Sequence, residues 1–210
     1  YTTLFRSSRH QAKSCWPREN WSWPRPQQDN GAYLLDSEED WFWLRDNPGV
    51  NARFAADIAL THDPLPIETF SGTIDGAGHT LTISNDVWLA YDSNPALVRT
   101  LTGTVKNLTI DLYGRVVSRA SRWNDTTVNT NANTLATNVT HNAAVLAANL
   151  GAGGVIDGVE LTLHPGSEVQ GPRLVAGLAA NVWVPNGSHA EIRNCRVHVE
   201  GVVRALARNT

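Results

Sequence analysis

From Phe54 onward, apolar and polar residues alternate in short bursts. These are Phe54-Ala-Ala-Asp-Ile58-Ala-Leu60, Thr80-Leu81-Thr-Ile83, Leu108-Thr-Ile110-Asp-Leu112, Val159-Glu-Leu161-Thr-Leu163 and Cys195-Arg-Val197-His-Val199. A period of two turns one face of an extended segment inward and the other outward, so each burst predicts a β-strand. Gly, Asn and Asp separate the bursts, and no dozen-residue segment with a helical period intervenes, which argues against a βαβ sheet. One helical signal precedes the strands. Ser37 followed by Glu38-Glu39-Asp40 and then Trp41, Trp43 and Leu44 reads as a short capped helix with acids at the positive end of its dipole. Asn47-Pro48-Gly49 stops it.

The bursts repeat. Leu146-Ala-Ala-Asn-Leu150 returns as Leu178-Ala-Ala-Asn-Val182, and each copy leads into the same second half. Ile156-Asp-Gly-Val159-Glu-Leu161-Thr-Leu163 aligns with Ile192-Arg-Asn-Cys195-Arg-Val197-His-Val199, the extra length falling in 183–190. Val105-Lys-Asn-Leu108-Thr-Ile110 is an earlier copy. An apolar residue, two turn formers and then alternation is what each coil of a solenoid requires, a bend at a fixed place and a strand laid on the last. The pattern predicts an all-β, single-stranded parallel β-helix over 29–210, with one short helix before the first coil.

Residues 1–28 carry neither period. Five basic side chains, among them Arg18 and Arg25, stand there against Glu19 alone, and Trp16, Trp21 and Trp23 are set among Pro17, Pro24 and Pro26. Proline fixes its own φ and pushes its predecessor to extended geometry, so the segment predicts an extended arm. Its indoles must be buried against something, because exposed aromatics at that density are a solubility liability. Charge divides the same way. The net of -3 conceals +4 in the arm, -8 in 29–75 and +1 across the rest. Asp36, Glu38, Glu39 and Asp40 are therefore the expected acceptor region for the arm, on its own subunit or on a neighbour.

With 210 residues and 41% hydrophobic content the chain can bury a continuous core. No global basic field favours nucleic acid, and no apolar run is long enough to span a bilayer. The absence of Met and the start at Tyr1 read as a processed chain. Cys15 and Cys195 are too far apart for metal-type spacing. Joined, they would restrict the unfolded chain by about 5 kcal/mol on the loop-entropy model; the alternative is one buried thiol and one loose one. Of five N-x-[ST] sequons, those at Asn124 and Asn138 lie in a polar run where an exposed loop would offer the side chain to a transferase; the motif is also short enough to arise by chance in an Asn- and Thr-rich chain.

Several segments resemble the GLUG-motif repeats and the related region that precedes the catalytic part of IgA-protease-type metallopeptidases. Phe70-Ser-Gly72-Thr-Ile-Asp75-Gly76-Ala-Gly78-His79-Thr-Leu81 is similar to that family's F-x-G-x-x-D-G-x-G-H segment. Gly103-Thr-Val105-Lys-Asn107-Leu108 resembles its G-x-I-x-N-L coil, and Val175-Ala-Gly177-Leu178-Ala-Ala-Asn181 its G-L-x-G core with Ala180 in place of the second glycine. Tyr33 to Asp40 and Trp41 resemble its lead-in. The resemblance implies a right-handed β-helix in secreted or surface-displayed microbial proteins, serving as stalk, adhesin or spacer. It implies no catalysis, and the H-E-x-x-H helix a zinc peptidase needs is absent from the sequence.

The expected function is a non-enzymatic extracellular structural or adhesive module. It assembles with copies of itself into a filament or surface layer through the arm and the open solenoid ends. No cofactor, metal or catalytic residue is expected, and the partners are further copies or a glycan, not nucleic acid or a membrane interior. The alternative is a carbohydrate-binding or polysaccharide-degrading protein using Trp88, Tyr91, Trp123 and Trp183 with Asp75 or Asp111. The bland reading of Asp75-Gly76 and Asp157-Gly158 is that they form turns.

Overall fold

The computed structural model describes residues 22–91, 94–118 and 142–205. Residues 22–27 have no regular secondary structure, as Pro24 and Pro26 dictate. β1 (Gln28–Asp29) and β2 (Ala32–Leu35) form an antiparallel pair around Asn30 and Gly31, both at positive φ. Asn-Gly suits such a two-residue hairpin because both residues tolerate the left-handed region. The expected helix follows as α1 (Glu38–Asp46). The Ser37 hydroxyl accepts from the Asp40 N–H at 3.3 Å, and the Asn47 side-chain amide donates to the Trp43 carbonyl at 2.8 Å. Trp41, Phe42, Trp43 and Leu44 are all buried.

The chain then makes five passes. The first holds β3 (Asn51–Phe54), β4 (Ile58–Leu60) and β5 (Ile67–Phe70). The second holds β6 (Thr73–Asp75), β7 (Thr80–Ile83), β8 (Trp88–Tyr91) and β9 (Val98–Leu101). The third runs through β10 (Thr104–Lys106), β11 (Thr109–Leu112), β12 (Arg115–Ser118), β13 (Ala143–Ala144) and β14 (Ala147–Leu150). The fourth runs through β15 (Val155–Asp157), β16 (Glu160–Leu163), β17 (Glu168–Gly171), β18 (Val175–Ala176) and β19 (Ala179–Val182). β20 (Glu191–Arg193), β21 (Arg196–Val199) and β22 (Val202–Ala205) make the fifth.

Each pass adds strands to the same sheets. The first sheet runs β1-β2-β3-β6-β10-β15-β20, the second β4-β7-β11-β16-β21, the third β8-β12-β17-β22 and the fourth β5-β9-β14-β19, with β13 and β18 a separate pair. Every pairing except β1 with β2 is parallel, so the protein is all-β with several parallel sheets and one helix among the described residues. The repeats seen in the sequence are strand partners. Ala147 lies beside Ala179 and Asn149 beside Asn181; Ile156 lies beside Ile192 and Leu161 beside Val197. Columns such as Ala52, Ile74, Val105 and Ile156, or Leu81, Ile110 and Leu161, are buried end to end and form one core. Each such aliphatic side chain contributes about 1.5–3 kcal/mol by leaving water.

Two features escaped the period-two reading. In β14, Ala147, Ala148, Asn149 and Leu150 are all buried, and a strand covered on both faces shows no alternation. At the corner leading into the first sheet the passes approach closely. A Cβ on Gly72 would lie 1.9 Å from the Val50 carbonyl oxygen, and one on Gly103 2.1 Å from the Gly72 carbonyl oxygen. Only glycine fits there.

Candidate functional site

Of the expected arm, Trp16, Arg18 and Trp21 lie outside the described residues, as does Cys15. Trp23 and Arg25 pack on their own subunit. The Trp23 ring meets Phe42 of α1 at 4.9 Å between centroids, and the Arg25 guanidinium hydrogen-bonds the Tyr33 hydroxyl and lies over that ring, 4.9 Å from its centre. Tyr33 in turn meets Trp43 at 4.7 Å. This end of the arm thus rests on aromatic rings, with Trp23, Pro24, Arg25, Trp43 and Asp46 lining a cleft.

The expected acceptor residues are engaged locally. Glu38 accepts from the Thr61 and His62 backbone N–H groups at 2.6 and 2.7 Å, tying α1 to the chain after β4. Asp40 accepts from the Asp36 N–H at 3.0 Å, and burial pushes its carboxyl above the usual range despite that bond. Asp36 is exposed, and Glu39 is half-buried in the first turn of α1. The acids serve the helix start, where the dipole favours them.

The outward face of the first sheet carries a column absent from the sequence expectations. Arg53, Asp75, Lys106, Asp157 and Arg193 are direct neighbours on successive strands, alternating in sign. Lys106 Nζ lies 3.4 Å from Asp75, and Arg193 Nε 3.0 Å from Asp157. At the adjoining corner Asn107 donates to Asp75 and Asn194 to Asp157, at 3.2 and 2.8 Å. Burial pushes the Asp75 carboxyl up, but bonds from the Ala77 N–H, Asn107 and Lys106 outweigh it and hold the group below its ordinary value. Asn194 and Arg193 hold Asp157 low in the same way. Aligning Ile74-Asp75, Val105-Lys106, Ile156-Asp157 and Ile192-Arg193 as repeats is the signal that would have shown the column.

Asp75 and Asp157 both stand at turns, each meeting half of the bland reading: Asp75 accepts from the Ala77 N–H at 3.0 Å with the positive φ at Ala77 and not Gly76, and Gly158 has φ 63 while the Asp157 carboxylate is held by Arg193 and Asn194. They stand two strands apart, roughly 10 Å at ordinary sheet spacing. Glycoside cleavage requires one carboxyl held protonated, whereas both of these are held ionised. Asp111 faces out from the second sheet, where His164 Nε2 lies 3.0 Å away. The Tyr113 ring stacks on His164 at 4.0 Å. The expected aromatic groove is dispersed: Trp88 is exposed on the third sheet with the Arg115 guanidinium 4.1 Å over one face, and Trp183 is exposed after β19 of the fourth. Trp123 lies outside the described residues.

Asn124 and Asn138 also lie outside the described residues. Cys195 is half-buried, its thiol donating to the Arg193 carbonyl at 3.0 Å. Among the described residues no group of three or more His, Cys, Asp or Glu is placed to hold a metal ion, and no helix is long and apolar enough to cross a membrane.

The two ends of the stack differ. α1 lies against β4 at the beginning, with Trp41 and Leu44 joined to the core. In the last described pass β20, β21 and β22 each pair on one side only among the described residues, and their inward residues are exposed. Comparisons with protein-family models, with curated proteins and with solved structures find no match to this chain.

Proposed function

We propose that this protein is a non-enzymatic, extracellular structural or adhesive module, a right-handed single-stranded parallel β-helix that assembles with copies of itself. The return of each pass to the same sheets supports the helical reading, and the motif similarity to GLUG-type repeats supports its hand and its setting. The observation that carries assembly is the division of charge along the chain, +4 over residues 1–28 against -8 over residues 29–75. The basic residues of 1–21 and the acidic residues of 29–75 supply an electrostatic contact between copies.

Light scattering on the purified chain tests this. Particles larger than one copy are expected, and deletion of residues 1–21 is expected to shrink them while circular dichroism keeps its β signal. A single copy at every concentration would overturn the reading.

A further inference from the structure

We infer that the corner between the second and third sheets is a binding site for a neutral oligosaccharide, with the rings of Trp88 and Tyr113 as its platforms. The site lies on the side wall of the second to fourth passes and stands whether or not the chain assembles.

The two rings are large apolar surfaces on a wall that is otherwise mostly polar. Trp88 is 49% exposed and Tyr113 42%, while their chain neighbours Leu89 and Leu112 are wholly buried, so both rings point outward. The outward residues of β7 and β11 beside them are Thr80, Thr82, Thr109 and Asp111.

Each ring is backed on one face by a group of the following pass, or of its partner strand, and a carboxylate fixes that group in turn. The Arg115 guanidinium lies 4.1 Å over Trp88, and its Nε donates to Glu168 at 3.0 Å. The His164 ring stacks on Tyr113 at 4.0 Å with 5° between planes, and its Nε2 lies 3.0 Å from Asp111. Rings held in this way have little side-chain freedom left to lose when a ligand settles on the other face. The backbone beneath is equally fixed. A Cβ on Gly114 would lie 2.3 Å from the Val87 carbonyl oxygen and 2.4 Å from that of Ser84, so glycine lets the third pass close on the second at this corner. Trp88 is the direct neighbour of Arg115. Tyr113, two residues before Arg115, therefore stands roughly 8 Å from Trp88 at ordinary strand dimensions. One short oligosaccharide spans that distance.

The chemistry of the corner selects the ligand. The negative face of an aromatic ring meets the axial C–H groups of a sugar. Pyranose units with every substituent equatorial, as in β-linked glucose or N-acetylglucosamine, offer such a face on both sides. Arg115, Glu168, His164 and Asp111 keep donors and acceptors beyond those used in their own pairs, which suits hydroxyl groups. Charge argues against an acidic sugar. Two cations, Arg115 and Arg204, share Glu168, the second at 3.7 Å, while Asp111 and the exposed Asp86 leave carboxylates in excess.

Isothermal titration of the full-length protein with cellohexaose and with chitohexaose tests the site, the two probes separating a glucan from its N-acetyl counterpart. Binding of at least one is expected. Trp88→Ala and Tyr113→Ala are each expected to weaken it roughly tenfold. Trp88→Phe, which keeps an aromatic platform, is expected to weaken it less and serves if the alanine variant fails to fold. Trp183→Ala, which removes an exposed ring after β19, is expected to leave it unchanged. Heat from neither probe, equal binding by the parent and both alanine variants, or tighter binding of hexagalacturonate than of either neutral probe would overturn the proposal. Light scattering reads assembly and titration reads this site, so either reading can fail alone.

Discussion

Asp75 and Asp157 are each held by two consecutive residues of the following pass, a cation and then an asparagine, and Asp57 is held by the Thr80 N–H and by His79. All three carboxyls sit below their ordinary value of about 3.9. A depressed carboxyl stabilises the fold above its unfolded value, and that contribution is lost as pH falls through the folded one. Asp40 acts in the opposite sense, since burial raises it and its ionised form is the less favoured in the fold. With three groups against one, the melting temperature is expected to change little from pH 7 to 5 and to fall below about pH 4. In the variant Asp75→Asn with Asp157→Asn the acid fall should be shallower, which circular dichroism melts from pH 3 to 7 would show. Sequence alone identified Asp75 and Asp157 as residues at turns. The partners, a whole pass away, were hidden until the repeats were set in register.

At the scale of strands, alternation was readable in those of the second sheet, where one face meets the core and the other meets water, as in β7, β11 and β16. It failed at β14, buried on both faces, and it missed the short strands of the third sheet. Trp88 and Arg115 there are outward residues that cover each other, so their types do not follow polarity. The candidate surfaces were less legible still, because exposure at the open end depends on what lies above a strand and not on its residues. Leu161 and Val197 make the point, since they are partners in one column with similar inward side chains. Leu161→Ala is expected to cost about 2–5 kcal/mol, the usual range for a buried leucine. Val197→Ala, with the site half in water, is expected to cost about 1 kcal/mol or less. Urea unfolding of the two variants beside the parent is the measurement that compares them.

For the molecule as a whole, the near-neutral charge hides two opposed segments, and the single core hides a gradient. Interior passes are covered above and below, while among the described residues the fifth is covered on one side only. Amide exchange in this chain is therefore expected to be slowest in β6 and β10 and fastest in β20 to β22. Exchange that is uniform from β6 to β22 at low concentration would remove the gradient. The helix that closes the first pass has a consequence in time as well as in space. Because α1 precedes every strand of the five passes, a chain emerging from a ribosome or a narrow pore assembles its lid before any layer beneath it exists. Each new turn of chain then finds a finished surface to lie on, so the polypeptide can fold in the order in which it is delivered.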